Sequence, residues 1–329
     1  MDFDLSPDQK EIKDVARELL AARSPWAKVR EAAEAREYGD ALWRELCELG
    51  WPGIAVAEGH GGQGLGAVEL AVLLEELGYA CAATPFLSTA VAASVIQACG
   101  TDAQRERYGA ALASGEATAG VGTRELCADG AGAAVLVLLD GDEAELVDGA
   151  AAEAHALDVI DSTRRYAAVR GGTGEPLGPG AADRVRAAVA AEVVGLCQQA
   201  LDMTLAYVKD RRQFGVPVGS FQAVAHRCAQ MLLSTETARS TAYFAAWAAD
   251  ADPERLPEAA ALAGAAAADG GREVTASAIQ AHGGIGFTWE ADVHWLYKRA
   301  QLNAALLGGA GRHRAALARI AAGRAGVVA

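Results

Sequence analysis

The chain has 329 residues, 52% of them hydrophobic and 6% aromatic, and it carries a formal net charge of −14 at pH 7. This length is enough for about two domains and for a large core that needs neither disulfides nor metals. The acidic balance argues against nucleic acid as a partner, since that function needs a basic surface. The apolar runs are shorter than the roughly 20 residues of a membrane span, so we expect no membrane partner.

The first residues of the chain indicate its cellular compartment. The first five residues include two aspartates where a secretory signal would carry lysine or arginine, so we expect a cytoplasmic protein.

The cysteines are widely spaced, with no CxxC pair and no histidine at ligand spacing, which favours buried free thiols over a metal site. They are Cys47, Cys81, Cys99, Cys127, Cys197 and Cys228.

The two halves of the chain differ in charge. Residues 1–175 hold 14 Lys and Arg against 30 Asp and Glu, a net of −16, whereas residues 176–329 hold 15 against 13, a net of +2. The second half can therefore accept an anionic ligand more easily than the first.

The first hundred residues predict helices. Ser6, Pro7 and Gln9 form the pattern of an N-cap, a proline at the first helical position and a capping-box partner. Apolar residues then recur at helical spacing, and we expect this helix to end before Pro25. A second helix is expected to run up to Gly50.

A glycine-dense segment at 58–66 follows. A nucleotide-binding loop needs a preceding strand in a βαβ unit, whereas helices are predicted on both sides here, so we interpret the segment as a tight interhelical loop. The next helix, 68–77, is strongly apolar, and we expect its Glu75 and Glu76 to lie on a solvated face. We expect Asp202, further along the chain, to be a surface acid.

Residues 118–175 predict a small β module. An apolar run at 133–139 and a second run at 145–149 flank a turn and predict a hairpin, and 166–169 predicts a third strand. A linker rich in glycine and proline, 171–180, then leads back into helices.

Four long helices are predicted after the linker, at 181–211, 220–249, 256–282 and 290–323. Short breaks marked by glycine or proline separate them, which favours an antiparallel bundle. We therefore expect a mainly α protein with a small β part. Its three domains would be an N-terminal helical domain at 1–117, a shortened middle β domain at 118–175 and a C-terminal four-helix bundle at 176–329.

Several segments match one family in the same order. Leu49-Gly50-Trp51-Pro52-Gly53, followed by the glycine-dense segment, resembles the N-terminal domain of acyl-CoA dehydrogenases. Arg211-Arg212-Gln213-Phe214-Gly215, here called the arginine block, resembles one element of that family's bundle. Gln280-Ala281-His282-Gly283-Gly284, here called the glutamine block, resembles a second. Each block alone is a weak signal, but the pair is specific because its order and spacing match.

The resemblance implies an FAD-dependent fold of helical domain, β domain and four-helix bundle, usually assembled as a dimer of dimers. In this family the flavin ring lies in one subunit's β domain, while the neighbour's bundle blocks hold the ADP half of FAD. Arg211 would pair with the diphosphate, because a guanidinium offers a fixed fork of donors to phosphate oxygens. The other residues carried over as FAD contacts are Gln213, Phe214, Gln280, Ala281, Gly283 and Gly284.

The resemblance also indicates where a catalytic base would lie. Removing a proton α to a thioester requires a nearby carboxylate. The family places this glutamate at one of two positions. Leu307 occupies the commoner position in this chain, and Val185, just before Arg186, occupies the alternative. Neither side chain can accept a proton, so we expect this chain to lack its own base.

The middle domain departs from the family pattern as well. Gly122-Thr123-Arg124-Glu125 stands where the family has a flavin-binding stretch, and no tryptophan follows before Trp247. The chain thus keeps the residues for the ADP half of the flavin site and has lost those for the ring. This pattern is typical of a subunit whose bundle binds part of a flavin that is seated in a catalytic partner, as in the heteromeric acyl-CoA dehydrogenases of actinobacterial steroid breakdown. The leading hypothesis is an α2β2 heterotetramer with a homologous catalytic subunit, acting on a bulky acyl-CoA such as a steroid side-chain thioester.

Glu192 keeps a second hypothesis open. It lies on the same helix stripe as Val185, in a segment that is apolar nearly all round, where a lone acid is unusual. It could pair with Arg186, with another helix or with a partner. Alternatively, it could be a displaced base with a raised pKa in a self-sufficient homo-oligomeric enzyme. A third hypothesis is a structural subunit that has lost its flavin.

Other aromatic residues receive structural interpretations. We expect His282 to be a packing residue that satisfies the backbone rather than a catalyst. We expect Trp247, Trp289 and Trp295 to be core or interface anchors rather than groups that stack on flavin.

Overall fold

The computed structural model describes residues 4–326 and begins with six helices. At the start of the first, the Ser6 hydroxyl accepts from the Gln9 backbone N–H at 3.2 Å, and the Ser6 N–H donates to the Gln9 side chain at 2.9 Å. The predicted capping box is therefore confirmed. The helices are α1 (Pro7–Arg23), α2 (Trp26–Ala35), α3 (Asp40–Glu48), α4 (Ala67–Tyr79), α5 (Phe86–Cys99) and α6 (Asp102–Ser114).

The first helix ends before Pro25, as predicted, but the next stretch contains two helices where the sequence predicted one. Arg36 separates α2 from α3 by adopting the left-handed conformation, with φ +53°. The glycine-dense segment lies between α3 and α4, so its interpretation as an interhelical loop is confirmed. Gly50, with φ +70°, turns the chain into this loop in a backbone region that favours glycine.

The middle of the chain forms a seven-stranded sheet, more extensive than the three strands predicted. The hairpin of β3 and β4 and the strand β6 are confirmed, whereas β1, β2, β5 and β7 were not predicted. The sheet order is β5-β6-β2-β1-β3-β4-β7, with β1 parallel to β3 and the other pairs antiparallel. The strands are β1 (Ala119–Gly122), β2 (Cys127–Ala128), β3 (Val135–Asp140), β4 (Glu143–Asp148), β5 (Ala152–Ala156), β6 (Tyr166–Gly171) and β7 (Glu175–Pro176).

The C-terminal part is helical, and its last predicted helix is broken in two. Gly308 and Gly309, with φ +78° and +75°, interrupt the apolar pattern, because a helix cannot continue through two residues in the left-handed region. A two-stranded hairpin, β8 (Arg212–Gln213) and β9 (Val216–Pro217), joins the first two helices. The helices are α7 (Ala181–Asp210), α8 (Gln222–Ala251), α9 (Leu256–His282), α10 (Val293–Leu306) and α11 (Gly309–Arg324).

One large hydrophobic core joins all three parts. Side chains alternate across β3, so that Val135 and Val137 belong to this core while Leu136 and Leu138 belong to a smaller core on the opposite face of the sheet. Helix α4 packs tightly on α7, since a Cβ at Gly195 would overlap the carbonyl oxygen of Glu75. The sheet is therefore tied to the helical bundle through shared apolar packing rather than through a flexible link.

The prediction of a solvated face for Glu75 and Glu76 is wrong, because both side chains are buried. Lys13 forms ion pairs with both carboxylates at 2.8 and 3.0 Å, and the Tyr243 hydroxyl donates to Glu75 at 2.8 Å. Arg17 and Arg239 complete the pairing, with Arg239 3.3 Å from Glu75. The acids lie inward because cations on neighbouring helices compensate the cost of burying them.

Asp202 is partly buried rather than fully exposed, and it accepts hydrogen bonds from Tyr79 at 3.0 Å and from Gln198 at 2.9 Å. The six cysteines are free thiols, four of them buried and two, Cys47 and Cys99, partly exposed. None of the helices within residues 4–326 combines the length and the apolarity needed to cross a lipid bilayer.

Candidate cofactor and catalytic sites

The arginine block forms the turn between α7 and α8. Arg211 ends α7 in an extended conformation, and its carbonyl oxygen accepts from the Val218 N–H at 2.7 Å, which closes the small hairpin of β8 and β9. The tip of that hairpin turns through Phe214 and Gly215, with φ +51° and +81°. A non-glycine residue in the left-handed region is uncommon, and here it directs the phenylalanine outward.

The side chains of this block are open to solvent. Phe214 is 93% exposed and Phe221 is 40% exposed, and their rings meet edge to face at 6.2 Å. Arg211 and Gln213 are exposed as well. Large apolar side chains that a structured turn keeps exposed to solvent are typical of a surface that another molecule covers.

The glutamine block forms the end of α9. Gln280 is exposed, and Gly283 turns the chain with φ +64° into a short 3-10 segment, Gly283–Phe287. A Cβ added at Gly283 or at Gly284 would meet no heavy atom within 4 Å, so the space above both glycines is open. Ala281 is partly buried beside them. A ligand can approach the backbone closely at this point.

The structure brings the two blocks to the same end of the bundle. The His282 ring stacks on the Tyr207 ring with centroids 4.5 Å apart, and the carbonyl oxygen of Tyr207 accepts from the Arg211 N–H at 2.8 Å. The Nδ1 atom of His282 lies 2.7 Å from the carbonyl oxygen of Ala278. Packing and backbone contacts thus account for this buried histidine, as predicted.

The donors of the two blocks fit the ADP half of FAD. A guanidinium, two carboxamides and two unobstructed glycines lie exposed at one end of the molecule, which is a donor set suited to a diphosphate and an adenosine. In the middle domain, the segment that stands where the family has a flavin-binding stretch makes hydrogen bonds within this chain instead. Thr123 caps its own turn by accepting from the Leu126 N–H at 3.2 Å, and Arg124 donates to Glu145 and to the Gly171 carbonyl oxygen.

Both positions that the resemblance assigns to the family's base are apolar and buried. Val185 and Leu307 are each 2% exposed and belong to the large core. The carbonyl oxygen of Leu307 lies 2.8 Å from Nε2 of the buried His313, which fixes the chain at the break between α10 and α11. Neither of the two side chains can accept a proton.

Glu192 is buried in an ion network. The predicted pairing with another helix is confirmed, since α10 supplies Arg299 and Asn303, whereas the alternative pairing with Arg186 is wrong. Arg186 pairs instead with Asp183 at 2.8 Å. Glu192 accepts from Arg164 at 3.0 Å and from Asn303 at 2.6 Å, and lies 3.3 Å from the guanidinium of Arg299. These partners come from the segment before β6 and from α10, so the network joins the middle domain to the bundle.

The electrostatics of this network oppose the raised pKa that a displaced base would need. Burial raises the pKa of Glu192, but the charges of Arg164 and Arg299 lower it by more, so its pKa lies below the ordinary glutamate value. Arg299 also binds Asp161 at 2.7 Å, and both of these side chains are fully buried. A carboxylate held between two guanidinium groups is a poor proton acceptor.

A neighbouring buried carboxyl, Asp129, was not predicted. It accepts from the hydroxyls of Tyr38 and Ser88, each at 2.5 Å, and burial raises its pKa. Arg164, Arg299 and Asp129 carry no local sequence signal, because their partners lie 28 to 217 residues away along the chain. Only the fold reveals them.

The tryptophans divide between interior and surface. Trp295 is 5% exposed, Trp247 is partly buried against Phe244, and Trp289 is 72% exposed beside the Lys298 ammonium. Trp295 is therefore a core residue as predicted, whereas Trp289 is an exposed side chain that packs on Trp295 and His294.

Comparison with known proteins places the chain in a family. The acyl-CoA dehydrogenase N-terminal domain matches residues 6–116, and the acyl-CoA dehydrogenase C-terminal domain matches residues 180–322. The acyl-CoA dehydrogenase IpdE2 of Mycolicibacterium smegmatis is 37% identical over 311 residues, which cover 91% of this chain and 95% of that protein. These matches extend over nearly the whole chain.

Solved structures show the same fold. The Tcur3481-Tcur3483 steroid acyl-CoA dehydrogenase, in its G363A variant, is similar with a TM-score of 0.86 at 28% identity, over 97% of this chain and 99% of that one. The ChsE4-ChsE5 complex of Mycobacterium tuberculosis shares the fold with a TM-score of 0.86 at 24% identity, over 98% and 99%. Acyl-CoA dehydrogenases are FAD flavoproteins, and by sequence and by fold this chain belongs to the acyl-CoA dehydrogenase family.

Proposed function

We propose that this chain is the base-lacking subunit of a heteromeric, FAD-dependent acyl-CoA dehydrogenase. The observation that carries this proposal is a contrast between its two ends. Val185 and Leu307 bury apolar side chains at both base positions, whereas the arginine and glutamine blocks stay exposed together at the far end of the bundle. A chain that can hold cofactor but cannot remove a proton needs a partner for the reaction.

The proposed role of the exposed end is to hold the ADP half of an FAD whose ring lies in the partner. When bound, FAD accepts the hydride that leaves the β carbon of the acyl group. Arg211 would donate to the diphosphate, and Gln213 and Phe214 would line it. Gly283 and Gly284 would let the adenosine approach the backbone, with Gln280 and Ala281 beside it.

The exposed apolar groups support a partner at this same end. Phe214, Phe287 and Trp289 are 93%, 79% and 72% exposed, which is unusual for aromatic side chains of a monomer. Aromatic anchors of this kind dominate the energy of protein interfaces. We propose that a homologous catalytic subunit covers them, in an α2β2 heterotetramer.

The relatives support a bulky acyl-CoA as the substrate. The structural relative at 28% identity is named a steroid acyl-CoA dehydrogenase, and its name joins two components. A steroid side-chain thioester is therefore the proposed substrate class, with the proton removed by a glutamate of the partner chain. Glu192 has a structural role in this proposal, because two guanidinium groups hold it.

The test is to purify this chain alone and together with a homologous chain that carries glutamate at one of the base positions. Flavin absorbance and particle mass are measured for both preparations. We expect little flavin in the chain alone and about one flavin per pair of unlike chains in the complex. A yellow protein with one flavin per chain, and with turnover when alone, would contradict the proposal and return attention to Glu192.

A further inference from the structure

A cluster of arginines surrounds the turn between β3 and β4. The Asp142 carboxylate in this turn accepts from Arg312 at 2.8 Å, and it lies 3.4 Å from Arg186 and 3.5 Å from Arg319. Arg312 and Arg319 are seven residues apart on α11, so two helical turns place them on one face. Three guanidinium groups thus converge on a single carboxylate.

The cluster borders a cavity of about 270 Å³. Asp183 contributes the second negative charge, and the three arginines against two aspartates leave a net charge of +1. His313 adds no charge at neutral pH, because burial and the nearby Arg186 lower its pKa. The polar side chains that line the cavity are Asp142, Asp183, Arg186, Arg312, His313 and Arg319.

Asp142 accepts hydrogen bonds from only some of the guanidinium N–H groups in this cluster. Its side chain is 61% exposed, and it is the sole protein acceptor within residues 4–326 for the guanidinium groups of Arg312 and Arg319. Arg186 differs, since its 7% exposed side chain is held by Asp183 and by the Gly141 carbonyl oxygen at 2.5 Å. Arg186 is therefore held in place, whereas Arg312 and Arg319 can reorient. All three face the cavity, and Arg312 and Arg319 keep N–H donors that no protein group in the described part of the chain accepts.

The cavity is separate from the arginine and glutamine blocks within the chain. Arg186 and Arg211 stand near opposite ends of α7, and 25 residues at 1.5 Å each correspond to about 38 Å. The cavity adjoins the base positions instead, because Arg186 follows Val185 and His313 contacts the Leu307 carbonyl oxygen. The proposed FAD contacts of this chain do not account for it.

We propose that this cavity is a binding site for a phosphate or diphosphate group and that Asp142 is an internal anion that competes for it. Guanidinium groups bind phosphate oxygens through paired, charge-assisted hydrogen bonds. An incoming phosphate would displace the exposed Asp142 side chain from Arg312 and Arg319, while Arg186 stays fixed. The β3–β4 turn would then move away from α11.

Calorimetric titration of the full-length chain with inorganic pyrophosphate tests this site. We expect weak binding by the wild type and binding about tenfold tighter in Asp142→Asn, because removing one charge near the arginines favours a second anion. Adding Arg312→Gln to Asp142→Asn should abolish the gain. The matched control is Arg314→Gln, since Arg314 also lies on α11 but pairs with Asp269 outside the cavity.

Two results would overturn the proposal. One is pyrophosphate binding that Asp142→Asn leaves unchanged. The other is an Arg314→Gln change that, when added to Asp142→Asn, weakens pyrophosphate binding as much as Arg312→Gln does. Thermal melting of each variant establishes that it is folded, and Arg319→Gln replaces Arg312→Gln if the latter does not fold. ADP is titrated in parallel. Equal or tighter ADP binding with the same dependence on Arg312 identifies an organic diphosphate, and binding of pyrophosphate alone identifies the inorganic ion.

Discussion

The rings of His282 and Tyr207 stack 4.5 Å apart, with 22° between their planes, and this contact holds the ends of α9 and α7 together. The glutamine block begins two residues before His282, and the arginine block begins four residues after Tyr207. This aromatic pair therefore contributes to holding together the two groups of residues proposed to bind FAD.

Replacing this histidine should separate the two blocks. In His282→Ala we expect the free energy of unfolding to fall by about 1 kcal/mol, from the lost ring contact. We also expect the assembled complex to retain less flavin. Denaturant unfolding and the ratio of flavin to protein absorbance measure the two effects. The control is His155→Ala, whose side chain is 61% exposed on β5, and equal flavin loss in both variants would contradict the role of the stack.

Arg211 should be the main diphosphate contact of this chain. A charge-assisted hydrogen bond contributes about 1.5–3 kcal/mol, so Arg211→Ala should raise the Kd of the complex for FAD by roughly 10- to 100-fold. Fluorescence titration of the flavin-free complex measures this constant. Arg36→Ala serves as the control, since Arg36 pairs with Asp158 at the surface. An unchanged Kd in Arg211→Ala would favour a structural subunit without a flavin role.

Glu192 should matter for stability and not for proton transfer. In Glu192→Gln, Arg164 and Arg299 keep their charges while buried, and the free energy of unfolding should fall by about 3–5 kcal/mol. Glu236→Gln, which removes a half-exposed partner of Arg239, should cost at most about 1 kcal/mol. If folded Glu192→Gln complex loses turnover while the Kd for FAD is unchanged, the displaced-base hypothesis gains support.

His294 should make the protein less stable in mild acid. Burial, together with the nearby Lys298, lowers the pKa of His294 from 6.5 to about 4. Between these values the unfolded chain binds a proton that the folded chain does not, so stability is complete above pH 6.5 and declines as the pH falls toward 4.

The variant His294→Phe removes this titration while keeping a ring beside Trp289 and Trp295. We expect the wild type to lose roughly 2–4 °C more in Tm than the variant between pH 7.5 and pH 5. Scanning calorimetry at the two pH values measures the difference. His155→Phe is the control, and equal losses in the wild type and His294→Phe would show that another group is responsible.

Local patterns in the sequence were sufficient to predict much of the fold. The capping box at Ser6, the long helix α7 and the hairpin of β3 and β4 were all predicted, because each depends on residues close together in the chain. The two blocks were recognised through the resemblance to acyl-CoA dehydrogenases, and their role in holding FAD stays a prediction. Short strands such as β2 and β7 were missed, since two residues carry no periodicity.

The tertiary structure decided the environment of the charged residues. Glu75 and Glu192 look like solvated or anomalous acids in the sequence, yet each is buried against cations from distant segments. Likewise, Asp142 meets Arg312 across 170 residues of sequence. A buried charge is stable only where opposite charges converge on it, and that convergence is a property of helix and sheet packing rather than of any local stretch of sequence.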